Sequence, residues 1–291
     1  MFESIAQDFH HQQIQYKNIQ ITIKRLDQIH PQISGNKFFK LKYNFLAAKA
    51  SSFDTVLTFG GAYSNHIAAT AYSAHLFNFK SIGIIRGEEL VNKALNPTLA
   101  TAQQLGMKLI YVSREKYRLK NQPNTLDKLL TEFPTAYVIP EGGTNHLAIE
   151  GCKEILSDHD QHHYDVICCP VGTGGTIAGL IESSSAQQKV IGFSALKGDF
   201  LTHDVAKWTT KNNWEILDTY CCGGYAKTTA ELIAFIKMFE AQYHIPLEQV
   251  YTAKMMMGIF DLIDQNYFAV DSKILVIHTG GLQGKLPLNG H

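Results

Sequence analysis

The sequence predicts an α/β fold built on mostly parallel sheet, and three observations carry that expectation. Short β-branched apolar runs alternate with amphipathic stretches along most of the chain. Two of the runs, ending at Phe59 and at Cys169, pass through glycines directly into a helical segment. No internal repeat and no Pro- or Ser-rich linker interrupts the order, so any division into domains must be discontinuous in sequence.

Residues 19–26 alternate loosely and are β-branched, a strand, and Pro31 breaks the chain after it. Ser34-Gly35 then forms a turn, with Asn36 placed as a helix cap. Phe39, Tyr43, Leu46, Ala47 and Ala50 follow at spacings of three and four, which starts a helix near Lys37. Strand 55–59, helix 63–77, strand 81–85, helix 97–105 and strand 108–112 continue as βαβα. Residues 114–133 are the most polar segment, read as a loop, broken at 121–124, that leads into a short helix. Strand 136–139, helix 147–156, strand 165–169, helix 176–182 and strand 189–193 restore the alternation. Helices near 232–243 and 254–263 and a strand at 274–278 complete it. Alternation of this kind covers a parallel sheet with helices on both faces.

Composition narrows the function. The chain has 291 residues, 45% hydrophobic and 18% charged, with 26 basic against 26 acidic side chains. Size permits one large or two medium domains, and a formal charge of zero gives no electrostatic case for nucleic acid. Five cysteines, with two adjacent pairs and no CxxC, read as reduced thiols of a cytoplasmic protein. The first thirteen residues lack the basic and apolar regions of an export signal, and the apolar run 166–181 is interrupted by Pro170, Gly172, Gly174 and Gly175, so no membrane span is expected. Thirteen histidines include the pairs His10-His11 and His162-His163, but no HExxH or comparable spacing points to a metal, and no GxSxG points to a hydrolase.

Four stretches can carry chemistry. Lys37 falls in the first turn of its helix, where the dipole opposes a cation, a suitable place for an amine that must be neutral. It is also one of three lysines in six residues, with Lys40 and Lys42, a pattern that solvated helix faces show too. Cys168-Cys169-Pro170-Val171-Gly172-Thr173-Gly174-Gly175-Thr176 runs from an apolar strand into a helix, so converging N–H groups and the helix dipole favour a phosphate. It is neither a Rossmann fingerprint, since Ile177 stands where the third glycine belongs, nor a P-loop. Gly60-Gly61-Ala62-Tyr63-Ser64-Asn65-His66 repeats the strand–glycine–helix arrangement, and a second open helix N-terminus suggests a ligand with two acidic parts. Thr279 lies at the carboxyl end of the last strand, where open α/β sheets bind ligands.

Taken together, Ser34 to Leu41, Gly60 to His66, Gly172 to Thr176, Tyr251-Thr252-Ala253-Lys254 and His278-Thr279-Gly280-Gly281 resemble, in order and across nearly the whole chain, the family of 1-aminocyclopropane-1-carboxylate deaminase and D-cysteine desulfhydrase. These are pyridoxal-phosphate enzymes with the fold of the tryptophan synthase β-subunit. The resemblance implies that Lys37 forms the Schiff base with pyridoxal phosphate and that Asn65 bonds the ring hydroxyl. It implies that Gly172, Thr173, Gly174, Gly175 and Thr176 wrap the phosphate and that Thr279 faces the ring nitrogen. The substrate then falls to Ser64, Asn65, His66, Tyr225 and Thr252, and catalysis to Lys37, Ser64, Tyr225 and Tyr251. The lysine helix departs from the family pattern in carrying Phe38-Phe39 where an arginine is common, and the run Met255-Met256-Met257 is unusual.

On this basis the expected architecture is two open, twisted, mostly parallel sheets covered by helices. A small α/β domain spans 47–140, and a larger one combines 1–46 with 141–291, with the cofactor between them. The expected reaction is elimination and deamination of a small amino acid to a 2-oxo acid and ammonia, by a likeness that also implies a homodimer. Thr252 and Thr279 match the D-cysteine desulfhydrase branch. The cyclopropane deaminase is the first alternative, and a pyridoxal-phosphate- or nucleotide-binding protein without turnover is the second.

Overall fold

The computed structural model describes residues 1–285 and 287. The ten strands described are β1 His11–Tyr16, β2 Ile19–Lys24, β3 Thr55–Gly60, β4 Lys80–Arg86, β5 Met107–Val112, β6 Ala136–Ile139, β7 Val166–Val171, β8 Lys189–Ser194, β9 Trp214–Leu217 and β10 Ile274–Ile277. Between them run α1 Asn36–Ala50, α2 Asn65–Leu76, α3 Pro97–Gln104, α4 Arg114–Arg118, α5 Pro123–Glu132, α6 His146–Lys153, α7 Asp158–His163, α8 Gly175–Ser183, α9 Phe200–Ala206, α10 Ala230–Tyr243 and α11 Thr252–Asp264.

The strands form two sheets. One has the order β1-β2-β10-β7-β8-β9 and is parallel except for the β1–β2 hairpin; the other, β5-β4-β3-β6, is wholly parallel. The two-sheet, mostly parallel α/β architecture is therefore the one the sequence predicts. β7 shows why both faces of the larger sheet must be covered. Its Ile167, Cys169 and Val171 enter one core with Phe38, Phe45 and Leu180, while Val166 and Cys168 enter another with Phe239, Met255 and Ile259. Pro170 is tolerated in this central strand because pairing with β10 stops at Cys168, leaving its missing N–H outside that ladder.

Phe38 and Phe39 are core residues. Both are buried, and Phe38 meets Phe2 edge-on at 5.2 Å between ring centres. Met255 and Met256 likewise fill the core on the opposite face of the sheet. Among the described residues no helix is long and apolar enough to cross a membrane.

Several local expectations are corrected. The N-cap of α1 is Gly35, at φ +67°, and Asn36 is already helical, because its side chain is drawn across to α8, donating to Thr176 Oγ1 at 2.7 Å. Residues 114–133 hold two helices: Ser113 caps α4 by accepting from Lys116 N–H, and Pro123 opens α5 as its first residue, where its missing N–H costs nothing. The edge strands β1 and β9 and the short helices α7 and α9 were not expected at all.

Candidate active site

Parallel strands point their carboxyl ends the same way, and in both sheets those ends open on one cavity of about 750 Å³. It is lined by the chain just after β3, β4, β7 and β10 and by the first turn of α1. Lys37, Ser64, Asn65, His66, Gly172, Thr173, Gly174, Gly175, Thr176, Tyr225, Tyr251 and Thr279 all line it. Residues more than two hundred positions apart in sequence therefore share one wall.

Lys37 occupies the first turn of α1, half-buried, with its Nζ donating to Asn36 Oδ1 at 3.0 Å. Burial pulls its pKa down to about 8. One turn later, on the same face, Lys40 is 1% exposed and donates to Thr144 Oγ1 at 2.8 Å and to Thr173 Oγ1 at 3.3 Å. Burial, and then the neighbouring Lys37, bring Lys40 to about 7. Its sequence signal was the three-residue spacing from Lys37, masked by its resemblance to a solvated lysine run.

The loop 172–176 is a cradle that side chains would fill. A Cβ on Gly175 would stand 2.8 Å from Thr144 Oγ1 and 3.1 Å from Lys40 Nζ, and one on Gly172 would stand 3.0 Å from the Tyr251 ring. Gly174 has φ +80°, a conformation glycine adopts without strain. Backbone donors at the start of α8 and a buried amine that an anion would hold protonated together favour a phosphate. An amine of lowered pKa stands beside them, so this set of donors fits pyridoxal phosphate.

Across the cavity Ser64 caps α2, its Oγ accepting from Ile67 N–H at 3.3 Å, which leaves the hydroxyl proton free to donate. Asn65 Oδ1 accepts from Gln283 Nε2 at 2.5 Å. His66 is buried against Thr58, Nε2 to Oγ1 at 2.7 Å, and its pKa lies well below the usual value because of burial and then the two lysines. Tyr225, exposed, packs edge-on to Tyr251 at 6.2 Å between ring centres, and burial raises the Tyr251 hydroxyl well above its ordinary pKa.

Thr252 is the exception among the sequence-predicted residues, since it does not line the cavity. It is fully buried at the start of α11 because it and Glu248 cap each other: Thr252 N–H donates to Glu248 Oε1 at 2.7 Å and Glu248 N–H donates to Thr252 Oγ1 at 2.9 Å. Glu248 itself reaches the cavity, a residue that sequence reasoning missed. Its carboxylate also takes the N–H groups of Val250 and Tyr251, so it fixes the turn that presents the Tyr251 ring. Burial raises its pKa against these three backbone donors.

Comparison with known proteins agrees with this geometry. The family described as pyridoxal-phosphate dependent enzymes matches residues 11–280. An Arabidopsis thaliana protein named bifunctional D-cysteine desulfhydrase/1-aminocyclopropane-1-carboxylate deaminase, mitochondrial, is 32% identical, over 91% of this chain and 73% of its own. D-cysteine desulfhydrase of Klebsiella pneumoniae is 28% identical, over 94% of this chain and 90% of its own. A crystal structure described as an ACC deaminase homologue superposes with a TM-score of 0.82 at 25% identity, covering 96% of this chain and 91% of its own. A match over nearly the full length, centred on a cavity whose lysines and glycine cradle suit that cofactor, places this chain among the pyridoxal-phosphate dependent enzymes.

Proposed function

We propose that the protein eliminates and deaminates a small amino acid to a 2-oxo acid and ammonia, with D-cysteine-type β-elimination as its favoured reaction. The observation that carries this reading is the pairing of Lys37 and Lys40 on one face of α1. Burial lowers both amines, but Lys37 is half-open to the cavity, whereas Lys40 is sealed beside the glycine cradle, where a bound phosphate would hold it protonated. Bound pyridoxal phosphate supplies a reactive carbonyl and an electron sink for the α-carbon.

The protein's own groups do the rest. The cradle residues 172–176 and Lys40 hold the phosphate, and Asn65 takes the ring hydroxyl. Ser64 and the open N–H groups of α2 receive the substrate carboxylate, with neutral His66 behind them. Lys37, once neutral, removes the α-proton and can return it. Tyr225 and Tyr251 cover the substrate side, and the Tyr251 hydroxyl, kept protonated by its surroundings, offers a donor to the departing group. Residues 47–140 and the remainder act as two units around the cavity, and the assembly extends to a cytoplasmic homodimer, checked by sedimentation.

The choice of branch rests on Thr279. Glu248, a carboxylate at the cavity, has its oxygens engaged by backbone N–H groups, which would leave the neutral Thr279 hydroxyl as the group to hold the ring nitrogen of a bound cofactor. A ring that is less protonated withdraws electrons less strongly, which suits a thiolate or chloride leaving group better than cleavage of a cyclopropane carbon–carbon bond. The Klebsiella relative is named for D-cysteine desulfhydration and the Arabidopsis relative for both activities, so the names support elimination and deamination in common, and the branch rests on the site. The test compares ammonia release from D-cysteine and from 1-aminocyclopropane-1-carboxylate. D-Cysteine is expected to be faster, and the opposite order overturns the branch.

A further inference from the structure

Asn65 stands in the first turn of α2 with its amide in the cavity, and its orientation is set from outside. Gln283, in the segment after β10, donates through Nε2 to Asn65 Oδ1 at 2.5 Å. Gln283 Oε1 accepts in turn from Thr98 Oγ1, on α3, at 3.0 Å. The segment is tied down by Gln249 Nε2, which donates to Gly284 O at 2.8 Å. The relay therefore joins three elements, two of them packed on the smaller sheet and the third following the larger one.

The relay has a polarity. Thr98 Oγ1 donates to Gln283 Oε1, Gln283 shows Asn65 its amide hydrogens, and Asn65 answers with oxygen. What remains free on Asn65 is Nδ2, a donor. Both amide atoms lie against glycines of the cavity wall, Nδ2 at 2.6 Å from a Cβ on Gly281 and Oδ1 at 3.4 Å from one on Gly284, so the bond from Gln283 is what distinguishes them.

We propose that Gln283 is a positioning residue that fixes the Asn65 amide with its donor turned to the cavity, where it favours the ionised form of the cofactor's ring hydroxyl. This rests on the assignment of Asn65 to that hydroxyl. The partner is an oxygen anion, which a donor stabilises and an acceptor repels.

Gln283 is exposed, so its replacement leaves the core intact. The experiment uses holoprotein and follows the visible absorbance of the bound cofactor against pH, together with the cofactor dissociation constant. In Gln283→Glu the carboxylate still accepts from Thr98 but cannot donate to Asn65. The Asn65 amide must then turn over and aim oxygen at the cavity. The expected result is a rise of about one unit in the pH midpoint and about tenfold weaker cofactor binding. Gln283→Met, which leaves Asn65 free to choose, shows a smaller change. In an Asn65→Ala background Gln283→Glu adds nothing further. A folded Gln283→Glu protein with the wild-type midpoint and affinity overturns the relay while leaving the cofactor site standing. A wild-type protein with no visible band overturns the cofactor reading and the relay with it.

Discussion

Gly35 and Thr279 meet backbone to backbone: a Cβ on Gly35 would stand 1.9 Å from the Thr279 carbonyl oxygen, and the next amide, Asn36 N–H, donates to that oxygen at 3.2 Å. The turn that launches the Lys37 helix is thereby fastened to the end of the last strand. Gly35 also has φ +67° and ψ −143°, a region that side chains avoid. Gly35→Ala combines a backbone clash with strain and is expected to destabilise the apoprotein by at least ~2 kcal/mol. Urea unfolding checks it, and a loss below ~0.5 kcal/mol would mean that the two segments can separate freely.

Lys37 should be the residue that carries the cofactor covalently. Borohydride reduction and peptide mapping are expected to place the phosphopyridoxyl group on Lys37 and not on Lys40 or Lys42. Attack needs the neutral amine, whose pKa is near 8. Covalent uptake of pyridoxal phosphate by the apoprotein should therefore speed up about tenfold per pH unit below that value and level off above it. A rate still climbing beyond pH 9 would point to an ordinary surface lysine.

Lys40 makes a prediction of opposite sign for stability and for function. Its folded pKa is about 7 against an ordinary 10.5, so below pH 7 both folded and unfolded chains hold the proton and burial of the charge costs its full amount. Between pH 7 and 10.5 the unfolded chain binds the extra proton, so stability rises with pH and the cost is gone above that window. Lys40→Met should thus stabilise the apoprotein at neutral pH by up to ~5 kcal/mol, and more below pH 7 than above it. The same change removes the cation beside the cradle, so cofactor affinity should fall tenfold or more. Denaturation at several pH values and a cofactor titration read the two effects separately.

How far the sequence led depended on whether a residue's partners lay near it in the chain. α1, β3, β7 and α8 were legible because apolar periodicity and glycine turns are local. β1 was not: its burial alternates, but the inward positions are Gln12, Ile14 and Tyr16 and only Ile14 is fully buried, as suits an edge strand, so the apolar signal is short. Trp214–Leu217, at the opposite edge, is half-buried throughout and hides for the same reason. In the site, Lys37 and the glycine loops carried their own signals. Lys40 needed Thr144 and Thr173 to be recognised as buried, and Gln283 needed Asn65, 218 positions away. Thr252 was assigned to the substrate by the family resemblance alone, which carries no account of its mutual cap with Glu248, and that cap turns it inward.

The placement of two amines by a single helix turn bears on which changes in chain length this protein can accept. Each residue advances an α-helix by about 100°. Adding one residue between Gly35 and Lys37 would keep every side chain and the helix itself, yet swing both amines off the cavity and into the packing against α6 or α2. The largely exposed connection 119–122 between α4 and α5 can vary in length at little cost. The first turn of α1 can vary in composition but not in length, so among natural relatives of this chain gaps should be absent from residues 35–40 even where identity there is low.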